Sequence, residues 1–124
     1  MLSSSGEGEA LAEELGGVGV TGSTFAAFAP DPLFSTSGVF RAALASFTKL
    51  FTERRAPDNV RMKNALPGFI DSLPETPERR ARMPIGRYGE AAEVSSLISC
   101  PASESAACVT GRNIRIDGGL TRSV

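Results

Sequence analysis

Several residue types that carry chemistry are scarce or missing in this chain. It has no histidine, a single tyrosine and two cysteines among 124 residues. Without histidine, the side chain that most often serves as general acid or base near neutral pH is unavailable. The two cysteines, Cys100 and Cys108, are too few for a disulfide framework and are expected to be thiols in a reducing cytosol. We predict no metal site.

Long apolar runs and an excess of charge are also missing. No apolar run approaches the roughly 20 residues of a membrane-spanning helix, and the first residues lack the basic-then-apolar order of a signal peptide. A net charge of −1 provides no long-range attraction for nucleic acid or an anionic membrane. These absences favour a cytoplasmic protein with neither kind of partner. A hydrophobic content of 41% and a charged content of 22% are typical of one soluble folded domain.

What is present divides the chain into two parts. Residues 1–16 are rich in Ser, Gly and Glu and are expected to be disordered or non-native, although Ala10–Leu15 is a short helix-forming stretch. Residues 17–124 are expected to form one partial domain. Its periodicities predict strands and helices in alternation, and hence an α/β fold with a parallel sheet. The predicted elements are strands at Val18–Phe25, Val60–Leu66 and Asn113–Asp117 and helices at Ser37–Arg54 and Glu90–Ser99.

The first predicted helix has one apolar face and clear ends. Serine and threonine at positions 35–37 are candidate N-caps, and Pro57 is expected to stop the helix. Pro101 is expected to end the second helix in the same way. The apolar residues of the first helix recur at spacings of three and four: Phe40, Ala43, Leu44, Phe47, Leu50 and Phe51.

A glycine-rich run precedes the first helix. Residues 17–22 read G-V-G-V-T-G and match the G-x-G-x-x-G pattern of dinucleotide-binding loops. In such loops the glycines lead into a helix whose N–H groups hold the pyrophosphate. Here two prolines follow instead, and no acidic residue lies about 20 positions on. A flexible approach to the first strand is therefore the favoured interpretation over a phosphate site.

Two motifs resemble a known enzyme family. Residues 59–72 read N-V-R-M-K-N-A-L-P-G-F-I-D-S, and residues 109–119 read V-T-G-R-N-I-R-I-D-G-G. Both are similar to the C-terminal half of the short-chain dehydrogenases/reductases, which carry P-G-x-x-x-T and I-T-G-x-x-I-x-V-D-G-G there. The resemblance covers about residues 23–124. It implies the C-terminal half of a Rossmann-like doubly wound parallel sheet, incomplete because no counterpart of the nucleotide-binding half is seen.

The resemblance also implies a catalytic region. Residues 37–44, S-G-V-F-R-A-A-L, are similar to the family's Y-x-x-x-K-A-A-L, with Ser37 in place of tyrosine and Arg41 in place of lysine. Thr24, thirteen residues before Ser37, falls where the family has its serine. A serine beside an arginine is a poor general acid, so the usual proton relay is missing. The alternative interpretation is that Ser37 caps a helix and Arg41 lies on its polar face.

The cofactor expected from the resemblance is NAD or NADP. Its nicotinamide end would meet Pro67, Gly68 and the backbone of Ile70, and the hydroxyl of Ser72 would contact a phosphate. Lys63 departs from the family's asparagine. Four arginines in the following segment could meet an acidic substrate or a 2′-phosphate, or else pair with Glu75 and Glu78; they are Arg79, Arg80, Arg82 and Arg87.

Two hypotheses about function remain open at this level. One is a truncated family member, whose ancestral chemistry is carbonyl/alcohol oxidoreduction of a small-molecule substrate and which is inactive as an isolated chain. The other is a non-catalytic interaction module that pairs with itself or with a full-length relative. Missing sheet strands would leave apolar surface uncovered, which a partner would have to protect.

Overall fold

The structure is a computed structural model that describes residues 17–102 and 104–123. The expectations for residues 1–16 lie outside these residues. The described elements alternate as predicted, and their bounds are β1 (Val18–Gly22), α1 (Ser35–Arg55), β2 (Arg61–Pro67), α2 (Pro77–Ala81), α3 (Ala91–Ala102) and β3 (Arg112–Ile116).

The three strands form one parallel sheet in the order β1-β2-β3. The central strand, β2, carries the buried run Lys63–Leu66. Because the strands are parallel, all their carboxyl ends lie at one edge of the sheet. The predicted α/β fold is confirmed, as a partial Rossmann-like sheet.

The predicted first strand is too long. β1 ends at Gly22, because Thr24 accepts a hydrogen bond from the Ala26 N–H and starts a 3-10 helix at Phe25–Ala27. Gly17 directly precedes β1, whereas Gly19 and Gly22 lie within it and pair in register with Met62 and Ala65 of β2. The run is therefore strand backbone, neither a flexible approach nor a turn into a helix.

Both predicted helices extend further than expected. α1 begins at Ser35, with Phe34 at its N-cap position and no side-chain cap, so the interpretation of Ser37 as a cap is wrong. α1 ends at Arg55, and a 3-10 turn containing Pro57 follows. α3 continues through Pro101, because a proline in a final turn removes a backbone bond where the helix is about to end.

The two sides of α1 are unusual. The side facing the protein carries small and polar residues, namely Gly38, Ala45, Thr48 and Thr52. The predicted apolar face is largely exposed, with Phe40 69% and Leu50 65% accessible. The apolar core lies elsewhere, around Phe25, Phe69 and Tyr88. No helix among the described residues is both long enough and apolar enough to cross a bilayer.

Candidate functional site

The predicted site residues collect at the carboxyl edge of the sheet. Ser23 follows β1 and donates its N–H to the carbonyl of Ala65 in β2, at 2.8 Å. This bond keeps the ends of the two strands together. Thr24 therefore leaves the sheet beside Pro67, the last residue of β2. Ligands of open parallel sheets bind at such an edge.

Thr24 and Arg41 lie at the end of β1, and Ser37 lies one turn before Arg41 on α1. Gly38 is buried against residues 25–27, where a Cβ would stand 3.2 Å from the carbonyl oxygen of Ala26. This close approach seats the first turn of α1 on the 3-10 helix that Thr24 begins. Arg41 then reaches back and donates from Nη1 to the carbonyl of Gly22 at 2.8 Å. Arg41 thus turns toward the sheet from the small, polar side of α1.

The hydroxyl groups of Thr24 and Ser37 differ in whether they already make a hydrogen bond. The Oγ1 of Thr24 accepts from the Ala26 N–H at 3.5 Å, a long bond. Ser37 is exposed and makes no side-chain hydrogen bond within residues 17–102 and 104–123. One helical turn separates Ser37 from Arg41, as the family's motif requires. Their roles remain predictions.

The Pro-Gly turn after β2 is packed against the D-G-G turn after β3. Gly68 donates its N–H to the Ile116 carbonyl at 3.0 Å, and a Cβ on Gly68 would stand 3.0 Å from the Cα of Asp117. The buried Asp117 carboxylate accepts from the N–H groups of Gly119 and Thr121 at 3.1 and 3.0 Å. The D-G-G ending therefore serves as a rigid support for the Pro-Gly turn.

The backbone after Gly68 remains open on one side. Ile70 forms a parallel bridge with Gly89, made by bonds from the Gly89 N–H to Phe69 and from the Asp71 N–H to Gly89. The carbonyl of Ile70 accepts from Leu73 at 3.0 Å. Within the described part of the chain, the Ile70 N–H makes no hydrogen bond. It could hold a carboxamide oxygen, and the exposed Ser72 lies two residues further on.

Three of the four arginines after β2 are already paired with acids. Arg80 pairs with Glu75, as one interpretation predicted. Arg82 pairs with Asp31 at 2.6 Å.

Arg87 donates two hydrogen bonds to Glu93, at 2.7 and 2.8 Å. This bidentate contact lowers the pKa of Glu93 to about 2. Arg79 instead lies over the ring of Phe69, 5.7 Å from its centre. Neither Arg79 nor its neighbours use Glu78 as an ion-pair partner in the described residues.

Two polar features of this region were missed by sequence reasoning. One is the buried Asp31, whose Oδ1 accepts from the Leu33 N–H at 3.0 Å and caps a 3-10 turn. An aspartate directly before a proline is a recognisable capping signal in the sequence. The hydrogen bond from Arg82 is the main cause of the lowered pKa of Asp31. No local signal identifies Arg82 as its partner, because 51 residues separate them.

The other is a polar row across the middle of the sheet. Asn64 is fully buried in β2 and lies level with Thr21 in β1 and Asn113 in β3. The Thr21 hydroxyl donates to Asn64 Oδ1, and Asn64 Nδ2 donates to Asn113 Oδ1 at 2.9 Å. Lys63, the neighbour of Asn64, is also buried, and burial is the main reason its pKa is lowered.

Comparison with known proteins assigns the family. The family model described as enoyl-(acyl carrier protein) reductase matches residues 7–121. The chain is 32% identical over 119 residues to human dehydrogenase/reductase SDR family member 4, an alignment that covers 84% of this chain and 41% of that protein. The chain belongs to the short-chain dehydrogenase/reductase family.

Other relatives agree with this assignment. The 3-oxoacyl-(acyl-carrier-protein) reductase FabG of Thermotoga maritima is 38% identical over 87 residues, covering 64% of this chain and 35% of that protein. A short-chain dehydrogenase/reductase from Brucella melitensis superposes with a TM-score of 0.77 at 27% identity, covering 86% of this chain and 44% of that one. The chain thus covers between 35% and 44% of the length of these relatives.

Proposed function

We propose that this chain carries the nicotinamide and substrate edge of an NAD(P)-dependent carbonyl/alcohol oxidoreductase fold but does not catalyse that reaction as an isolated chain. The observation that carries the proposal is the pair Ser37 and Arg41 at the start of α1. Arg41 donates to the Gly22 carbonyl, and Ser37 stands exposed one turn before it.

The proton step is the one that this pair supports poorly. Reducing a carbonyl requires a proton at the oxygen while the cofactor, when bound, supplies hydride. A serine hydroxyl has no accessible pKa near neutral pH, and an arginine does not release a proton. The one tyrosine, Tyr88, is buried, and its hydroxyl accepts from the Thr76 N–H at 3.3 Å. Thr24 and Ser37 can donate hydrogen bonds to a carbonyl, and Arg41 can stabilise negative charge.

More of the groups that would contact the nicotinamide end of the cofactor are present than of the groups that would transfer the proton. Pro67 and Gly68 end β2 at the sheet edge, the Ile70 N–H is available, and Ser72 is exposed nearby. These groups fit the carboxamide and a phosphate of NAD or NADP, as the resemblance implies. The described residues offer no counterpart of the glycine-rich turn that holds the pyrophosphate, since the glycines of β1 are paired in the sheet.

Turnover assays on the purified chain test this proposal. NADH and NADPH are supplied in turn with a panel of aldehydes and ketones, and we expect no consumption above the rate without protein. The matched variants are Ser37→Ala and Ser46→Ala, both at exposed serines of α1. Steady consumption that scales with protein, disappears in Ser37→Ala and persists in Ser46→Ala would overturn the proposal.

A second function is favoured by the exposed face of α1. Val39, Phe40, Phe47 and Leu50 are between 48% and 71% accessible, and they lie opposite the buried residues 45, 48 and 52. With the exposed Ala43, residues 40, 43, 47 and 50 recur at spacings of three and four, as in the seam of a helix pair. Contiguous exposed apolar surface on a helix of 21 residues is typical of an interaction site.

The occupant that we propose for this face is a second copy of the chain, with two α1 helices packed on each other. We expect sedimentation velocity to show dimers that Phe47→Glu abolishes. Phe28→Glu is the matched control, because Phe28 is 44% exposed and lies outside α1. A monomer at all concentrations, or dimers that survive Phe47→Glu, would exclude this arrangement.

A further inference from the structure

Residues 74–82, called the flap here, are fastened to the protein mainly by side chains. Their backbone hydrogen bonds are local, for example from Arg80 to Thr76 and from Arg82 to Arg79. Among the described residues, the only backbone N–H of the flap that bonds another element is that of Thr76, to the Tyr88 hydroxyl. A segment held in this way can open without disrupting the sheet.

Both ends of the flap are anchored. Before it, Ile70 is bridged to Gly89. After it, Met83 is 3% exposed in the aromatic core, and Ile85 donates its N–H to Gly118 at 3.1 Å. These anchors confine any movement to the flap itself.

One ion pair joins the flap to the loop that precedes α1. Arg82 Nη2 lies 2.6 Å from Asp31 Oδ2, while the other carboxylate oxygen of Asp31 accepts from Leu33. The guanidinium carbon of Arg82 is 5.3 Å from the centre of the Phe69 ring. Asp31 is only 8% exposed, whereas the Arg82 side chain is 42% exposed, so the contact is shielded from solvent on the Asp31 side only.

A cleft of about 720 Å³ borders this pair, and its lining comes from three segments: Phe28 and Ala29, then Ala81, Arg82 and Pro84, and finally residues 119–123. This volume is within the range of small-molecule sites. The two segments that the ion pair joins are thus two of the three segments that line the cleft.

We propose that the Asp31–Arg82 pair is a latch that holds the flap closed over Phe69 and sets access to this cleft. With the latch closed, Arg82 lies over Phe69, and the flap side of the cleft is held to the side that contains Phe28 and Ala29. With the latch open, the flap moves away from Phe69 about its two anchored ends. The latch does not depend on the proposed oxidoreductase chemistry, because it concerns the flap and not turnover.

Site-resolved trypsin cleavage of the whole chain tests the latch. Asp31→Asn keeps an oxygen that can accept from Leu33 but loses the charge that Arg82 requires. We expect cleavage after Arg79, Arg80 and Arg82 to accelerate about five- to tenfold, since cleavage follows the population of the open form and a charged hydrogen bond exceeds a neutral one in strength.

Two controls make the result specific. The bonds after Arg54 and Arg55 in α1 report global unfolding in the same digest. Glu93→Gln removes another arginine–carboxylate pair outside the flap and should leave flap cleavage unchanged.

Flap cleavage that does not accelerate in Asp31→Asn, or that is no faster than cleavage after Arg54 and Arg55 in either protein, would overturn the latch. Arg82→Gln breaks the same ion pair from the other side and leaves Asp31 as the cap of its own turn. Because this variant loses the cleavage site after residue 82, cleavage is measured after Arg79 and Arg80. Unchanged cleavage there would equally overturn it.

Discussion

The polar row across the sheet provides the sharpest test of how this fold is held together. Replacing Asn64 by alanine removes both of its side-chain hydrogen bonds, to Thr21 and Asn113. It also leaves a space the size of an amide group at a position with no solvent exposure. The buried strand backbone on either side cannot easily collapse into that space.

The expected loss follows from the two partners. A buried group left without its hydrogen-bond partner costs about 1–3 kcal/mol. Thr21 and Asn113 are only half-buried, so water can partly replace Asn64 and each contributes near the lower end of that range. Adding about 1 kcal/mol for the cavity, we expect Asn64→Ala to lower the free energy of unfolding by about 3 kcal/mol.

Urea denaturation followed by circular dichroism measures this loss. Asn113→Ala is the comparison variant, because it removes one bond and leaves the buried Asn64 amide without that acceptor, which should cost about 1–3 kcal/mol. A loss below about 0.5 kcal/mol for Asn64→Ala, the usual range of a neutral surface change, would refute the reasoning. The two partners would then be satisfied without Asn64.

Two further predictions concern the turn after β2 and the Asp31 carboxylate. Gly68→Ala should lower the free energy of unfolding by about 1–3 kcal/mol, because the new Cβ would clash with Asp117. Gly22→Ala is the control, since a Cβ there meets nothing within 4 Å. Equal melting temperatures of the two variants would contradict this prediction. Asp31 has a lowered pKa, so it stabilises the fold above the ordinary carboxyl pKa of about 4, and this stabilisation is lost as the pH falls through its lower folded value. Asp31→Asn should therefore be less stable than the parent near pH 7 and should lose less stability on acidification. If the melting temperatures of the two proteins fell by the same amount from about pH 6 to pH 2, the prediction would be wrong.

The sheet motifs were predictable because the required backbone is local. A buried run ending in Pro67-Gly68, and a second strand ending in D-G-G, each specify a strand and a tight turn within a dozen residues. The ends of the helices were less predictable. Pro101 lies within α3 rather than after it, because a proline in the last turn removes only the one bond that its own N–H would have made to the preceding turn.

Phe40 and Thr48 illustrate a second limit of prediction from sequence, which concerns the face of a helix that packs against the protein. The periodicity of α1 correctly indicated one apolar face, but it did not show that the helix seats its small, polar side on the protein. That choice depends on the close approach of Gly38 to Ala26, which is a contact between two elements. Hydrophobic pattern alone would favour the opposite orientation.

The sequence by itself determined the family resemblance, the order of strands and helices, and the departures at Ser37 and Arg41, because residue identity and local spacing are written directly in the chain. Only the tertiary structure decided that Arg41 turns to Gly22, that Asn64 joins three strands, and that Asp31 holds Arg82. These partners are 19 to 51 residues apart. Such contacts arise when separate elements pack, so no local pattern can specify them.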